Sequence, residues 1–183
     1  MLIGIAFIIC LLTVPLAGGR MGALALLQPR AWWLLAAGLG LQVLIISVVP
    51  DGPQGMHTTV HIVSYVLVAC FVAANWSVPY LWLIAFGGAL NAVAIGLNGG
   101  VMPADPAALE RSGLTIGDGF ANSAALAHPR LSALGDIIAV PAGPLANVLS
   151  IGDLILFAGL LLLLHRTTRR AAAPALAADG RSD

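Results

Sequence analysis

Five runs of apolar residues, each close to the length of a bilayer crossing, leave this chain few ways to fold. They cover residues 1–17, 31–49, 58–75, 78–97 and 150–165. A helix needs roughly 20 apolar residues to cross the hydrocarbon core. Composition points the same way. Of 183 residues, 60% are hydrophobic and 9% charged, whereas a soluble domain carries about a quarter charged residues. A chain this poor in charge could not cover a water-facing surface. The expectation is an all-α integral membrane protein with five transmembrane helices and a long extracytoplasmic loop over residues 99–149. Residues 1–170 would form one membrane domain. The Ala-rich tail, residues 171–183, reads as disordered and cytoplasmic.

The breaks between runs suit membrane interfaces. Gly18-Gly19 ends the first run before Arg20, and Arg30 precedes the second. Trp32 and Trp33 open that second run, and Trp76, Tyr80 and Trp82 lie between the third and fourth. Aromatic residues of this kind favour the headgroup region. The first run lacks the basic start and the small-residue cleavage site of a signal peptide, so it is expected to be retained. Arg20 and Arg30 fall on the same side as Arg166, Arg169 and Arg170, which follow the fifth run. By the positive-inside rule that side is the cytoplasm. The expected location is a bacterial cytoplasmic membrane, crossed several times, with the N-terminus outside and the C-terminus inside. A formal net charge of zero excludes the basic face that nucleic acid requires. Cys10 and Cys70 lie within apolar runs and lack metal-ligand spacing, so neither a disulfide nor a metal is expected of them. No phosphate loop, nucleotide fingerprint or haem-attachment motif occurs, and no cofactor is expected.

Counting depth at about 1.5 Å per residue gathers the polar groups in one layer. Asp153 stands only thirteen residues before Arg166, on the order of 10 Å inside the outer boundary. Asn91, seven residues before Asn98, falls at similar depth, as do Gln42, Ser64 and Tyr65, with His61 and then His57 higher. The inner half holds little beyond Thr13. Two readings compete. These groups could be hydrogen bonds between helices, or the lining of an outward-facing pocket built from Gln42, His61, Tyr65, Asn91, Asn98, Asn147, Ser150 and Asp153. An ionisable Asp153 at depth needs a partner or water in either case.

Local motifs refine this. Ser150-Ile151-Gly152-Asp153 has capping-box spacing, with Ser150 capping the last helix and Asp153 returning to a free backbone N–H. His57 and His61 share a helix face, but no third ligand lies near in sequence, so interfacial histidines are the simpler reading. Residues 103–113 form a short helix, with Asp105 as N-cap, Pro106 in the first turn and Gly113 as the stop. Pro141-Ala142-Gly143-Pro144 cannot be regular helix and is expected to dip back against the bundle as a re-entrant turn.

Three blocks carry a resemblance: Asn98-Gly99-Gly100-Val101-Met102-Pro103, Leu134-Gly135-Asp136-Ile137-Ile138 and Asn147-Val148-Leu149-Ser150-Ile151-Gly152-Asp153. In that order they resemble a bacterial multi-pass membrane family defined only as a domain of unknown function. The resemblance spans nearly the whole chain and implies an architecture rather than an activity. The last third also resembles lipoprotein signal peptidase, an aspartyl protease working at the outer interface of the membrane. That family opens its last span with F-N-x-A-D, which Leu149-Ser150-Ile151-Gly152-Asp153 matches in spacing. Arg130-Leu131 and Gly135-Asp136-Ile137-Ile138 echo its D-R-L…V-D-F-I stretch. The family's first catalytic Asp precedes its Arg, and Pro129 stands there in this chain. Asp136 could take that role only in a rearranged geometry; Asp118, flanked by Gly117 and Gly119, is a poorer substitute.

Three functions follow as expectations. The leading one is a non-enzymatic membrane protein that binds a lipid-like small molecule or a partner subunit at its outer face. The alternative is an aspartyl-type membrane hydrolase in which Asp136 and Asp153 share a proton, one acting as base and the other as acid. The third is a small oligomeric transporter, against which stands the lack of polar groups through the inner half.

Overall fold

A computed structural model of the chain describes residues 2–45, 53–114 and 123–170, with the side chains of residues 2–5, 54, 57 and 170 outside the description. The protein is mostly helical. Helix α1 (Leu2–Leu16) ends one residue after Pro15. A 3-10 segment, Met21–Leu27, then turns back at 114° to it. Helices α2 (Trp32–Val43), α3 (Gln54–Ala74) and α4 (Leu81–Leu97) follow. The segment after α4 holds β1 (Met102–Pro103), α5 (Pro106–Ser112), β2 (Ser123–Ala124), β3 (Asp136–Val140) and β4 (Asn147–Ser150). Helix α6 (Ile151–Arg170) closes the described chain.

Apart from α5, each α-helix lies largely on one of the apolar runs, with ends set by local chemistry. The fourth run begins its helix at Leu81 because Tyr80 sits in the left-handed region at φ 62°. Residues 46–49, the end of the second run, lie outside the described residues. One helix, Ile151–Arg169, is long and apolar enough to cross a membrane. Ala6–Leu16 with Met21–Leu27 meets the same criterion as a bent pair. Trp32–Val43, Thr58–Ala74 and Leu81–Leu97 are apolar but shorter. Five full crossings are therefore not what the described helices show.

The helices pack in pairs. Helix α4 lies antiparallel on α6 at very close range, because glycines stand at the crossing. A Cβ added to Gly87 would lie 2.5 Å from the Gly152 carbonyl oxygen and 2.7 Å from the Leu156 nitrogen. Gly159 sits equally tightly against the Ile84 backbone. Small residues allow such approach where lipid offers no hydrophobic drive between helices. Helix α2 packs on α3 in the same manner through Gly38, which faces the Ser64 carbonyl and Val68. Helix α1 joins the lower half of α6 through Cys10, Val14 and Leu164, and Thr13 Oγ1 lies 3.0 Å from His165 Nε2.

The expected all-α architecture needs correction between α4 and α6. Strands β3 and β4 form an antiparallel hairpin that pairs Asp136 with Ser150 and Val140 with Asn147, irregular between Asp136 and Ile138. Strands β1 and β2 pair in parallel, Met102 with Ser123, and Ala104 bridges to Asp136. The segment 141–144, expected to be re-entrant, is instead the exposed connection of this hairpin. The reason is local: Ile137, Ile138 and Val140 on one side and Val148 on the other favour extended backbone, and the turn sequence Pro141-Ala142-Gly143-Pro144 joins them. The short helix matches its expectation closely. Asp105 accepts a hydrogen bond from the Ala107 N–H, and Gly113 stops α5 at φ 77°. Ala104, Ala108, Leu109 and Val148 form a small apolar core beneath this cap.

Candidate functional site

The end of the α4–α6 pair nearest the hairpin is where the polar side chains converge. The capping box forms as its spacing implies: the Ser150 N–H donates to Asp153 Oδ2 at 2.9 Å, and the Asp153 N–H donates to Ser150 Oγ at 3.0 Å. Helix α4 completes the group. Asn91 Nδ2 donates to Asp153 Oδ1 at 2.8 Å, and Ser150 Oγ donates to Asn91 Oδ1 at 2.8 Å. Both oxygens of Asp153 are thus occupied, and the carboxylate sits at the positive end of α6. Gly152 makes this possible, since any Cβ there would overlap the Asn91 amide.

The hairpin register brings a second acid to the group. Asp136 stands opposite Ser150 and is only 7% exposed. The Ser123 hydroxyl donates a short hydrogen bond to Asp136 Oδ2. The Asp136 backbone carbonyl accepts from the Asp105 N–H at 2.9 Å, tying α5 to the hairpin. Burial pushes the Asp136 carboxyl up to about 6, against the pull of the Ser123 hydrogen bond and with a further push from the charge of Asp153. Two acids of one small site therefore sense each other. Tyr65 of α3 lies within electrostatic reach of Asp153 and stacks with His61, ring centroids 6.1 Å apart.

The other expected lining residues are engaged elsewhere. Gln42 Nε2 donates to Ser64 Oγ at 3.1 Å, and Ser64 Oγ donates to the His61 carbonyl. This is a bond between α2 and α3. Asn147 Oδ1 accepts from the Val148 N–H beside it. Asn98 is a clamp: its Nδ2 donates to the Arg130 carbonyl, and its Oδ1 accepts the Arg130 N–H, both at 2.8 Å. The His57 side chain and Asp118 lie outside the description. Among the described residues no three His, Cys, Asp or Glu side chains are grouped to hold a metal.

Two features went unread in the sequence. Ser123, the partner of Asp136, had no signal, because the partnership depends on β2 lying beside β1. The second feature is Asn75, which repeats the Asn98 clamp at the opposite end of the bundle. Its Oδ1 accepts the Arg30 N–H at 2.7 Å, and its Nδ2 donates to the Arg30 carbonyl at 2.8 Å. Both asparagines terminate a helix. Both grip the backbone of a Pro-Arg pair, and the next residue, Ala31 or Leu131, is left-handed at φ 50° or 49°. A signal for this existed: Pro29-Arg30 with Asn75-Trp76-Ser77-Val78 parallels Pro129-Arg130 with Asn98-Gly99-Gly100-Val101.

A family model described as a family of unknown function, DUF5317, matches residues 27–165. The chain belongs to DUF5317. No curated protein and no solved structure matches it. The region shared with DUF5317 contains both asparagine clamps, the hairpin and the Asn91–Ser150–Asp153 group, and leaves α1 outside. The three sequence blocks all fall within it.

Proposed function

We propose that this DUF5317 protein is a multi-pass membrane protein whose outer-face acidic site, centred on Asp153 and Asp136, binds the head group of a small amphiphile. The membrane reading rests on the outward faces of the helices. Phe7, Ile9, Leu12, Leu39, Ile62, Val66, Phe86, Val93, Leu154 and Leu162 are all exposed, far more apolar surface than a water-soluble monomer presents. The shorter helices belong to the same bundle as α6, and α4 alone spans about 25 Å. A bilayer that thins around the protein accommodates that length. The orientation proposed is N-terminus outside and C-terminus in the cytoplasm of a bacterial cell, which places the site in the outer leaflet.

The observation that carries the ligand class is an acid pair, Asp136 buried and Asp153 half-buried, with no cation beside it among the described residues. Among the described residues the one ion pair is Arg111 with Asp105, both substantially exposed. Asp136 and Asp153 are held by a hydroxyl, an amide and a backbone N–H. Burying such groups without a counter-charge is costly, and a ligand bearing an ammonium or hydroxyl head group would supply what is missing. Native mass spectrometry of the detergent-purified chain with amine-headed and choline-headed lipids tests this. Retention of the amine-headed lipid by the wild type and its loss in Asp136→Asn and Asp153→Asn supports the reading. Equal retention by all three proteins refutes it.

A second reading, an aspartyl-type hydrolase, is favoured by the push that Asp153 exerts on Asp136. A carboxyl that keeps its proton beside a second carboxyl can act with it as acid and base toward water. It requires time-dependent cleavage of a membrane-embedded peptide that either Asp→Asn change abolishes. Stable retention of intact ligand without turnover favours binding instead.

A further inference from the structure

We propose that the end of the bundle opposite the acidic site is a binding surface for phospholipids with a net negative head group. This rests on the membrane reading above but not on the outer site. Among the described residues the carboxylates are confined to one end, with Arg111 and Arg130, while four arginines stand at the other without them. Arg20, Arg30, Arg166 and Arg169 are all exposed and share one end. Gly19, beside Arg20, packs against Thr168 of α6, and the Asn75 clamp holds Arg30 at the end of α3. The acids among the described residues, Asp105, Glu110, Asp136 and Asp153, all lie at the other end, so none of those carboxylates pairs with these four arginines.

The same end carries every tryptophan in the chain. Trp32 and Trp33 begin α2 directly after the clamped Arg30, Trp76 follows Asn75, and Trp82 sits in the first turn of α4. All four are more than half exposed. Indole rings and guanidinium groups at one level are what a headgroup layer accommodates. The 3-10 segment Met21–Leu27 strengthens the case. It lies across the bundle at 114° to α1, between Arg20 and Arg30, and exposes Met21 and Leu26. A short apolar segment flanked by arginines and lying across the helix direction suits the interface plane.

Arg30 is the best-placed anchor. Asn75, 4% exposed, holds both the N–H and the carbonyl of Arg30, so the backbone from which the guanidinium extends is fixed before any lipid arrives. Preorganisation of this kind lowers the entropic cost of contact. Phosphate is the natural acceptor, since guanidinium presents paired donors to it. Each basic residue near an anionic surface contributes on the order of a fivefold gain in partitioning.

The test uses the full chain incorporated into phosphatidylcholine vesicles with or without phosphatidylglycerol, reading thermal stability and co-purified lipid. Phosphatidylglycerol should raise the melting temperature and be retained preferentially, and high salt should erase the difference. A variant with Arg20, Arg30, Arg166 and Arg169 changed to Gln should lose the preference, and the Lys version should keep most of it. Arg130→Gln, at the other end, should keep all of it, since Asn98 grips only the Arg130 backbone. If the fourfold Gln variant fails to incorporate, Arg166→Gln with Arg169→Gln and the salt dependence decide. Equal behaviour of the wild type in both vesicles overturns the proposal and leaves the membrane reading intact. A chain that does not float with either vesicle overturns both.

Discussion

At Asp136, desolvation outweighs the hydroxyl hydrogen bond, and the consequence is a pH dependence with a definite sign. Its carboxyl rises from 3.8 to about 6, so the folded state holds the proton more tightly than the unfolded chain. Stability from this group is complete below about pH 4 and is lost as pH rises through about 6. The shift corresponds to at most about 3 kcal/mol. Asp136→Asn can still accept the Ser123 hydroxyl and should flatten that slope, read from denaturation midpoints in detergent between pH 4 and pH 7. Asn91 is the other decisive residue. Its side chain meets both Ser150 and Asp153. Asn91→Leu should cost about 2–3 kcal/mol, because it strands a carboxylate oxygen and a fully buried hydroxyl. A loss below half a kcal/mol in the same denaturation measurement would mean water replaces the amide without penalty.

Among the elements, the α4–α6 contact sets the tightest limit on substitution. Gly87 and Gly88 are adjacent on α4 yet face different surroundings. Gly87 meets the α6 backbone, whereas a Cβ at Gly88 meets nothing within 4 Å. Gly87→Ala should therefore destabilise strongly, since rigid backbone rather than a movable side chain blocks the methyl. Gly88→Ala should stabilise by up to about 1 kcal/mol through helix propensity. Melting temperatures of the two variants, measured side by side, check this contrast. The clamps offer a second element-level test. Asn98→Ala removes both bonds to Arg130, together with one side-chain bond to the Ala94 carbonyl at the end of α4. Limited proteolysis should then cut near residues 128–132 faster than in the wild type, with little change in global melting.

For the molecule as a whole, the charge division and the tryptophan end define an orientation that labelling can check. In a background lacking Cys10 and Cys70, Pro141→Cys on the hairpin connection should react with a membrane-impermeant maleimide from outside intact cells. Gln28→Cys, beside the clamped Pro29-Arg30, should react only after permeabilisation. The reverse pattern would invert the bundle and move the acidic site to the cytoplasm. Reaction of both from outside would count against a membrane-spanning arrangement.

What the chain encodes locally was legible without coordinates. Apolar runs located every long helix, because burial of side chains needs only their pattern along the backbone. The Ser150–Asp153 box and the Asp105–Gly113 caps were equally legible, since each bond closes within a few residues. The placement of Asp136 was not. It depends on strand register, and a shift of one residue in the hairpin would turn its carboxylate to the opposite face. The Asn75 and Asn98 clamps, separated from their arginines by 45 and 32 residues, likewise needed the helices assembled first. Sequence alone determined where the long helices form and how α5 and the start of α6 are capped. Tertiary structure decided which polar side chains meet, because those partners are distant along the chain and their contact exists only once glycines let α4 and α6 close on each other.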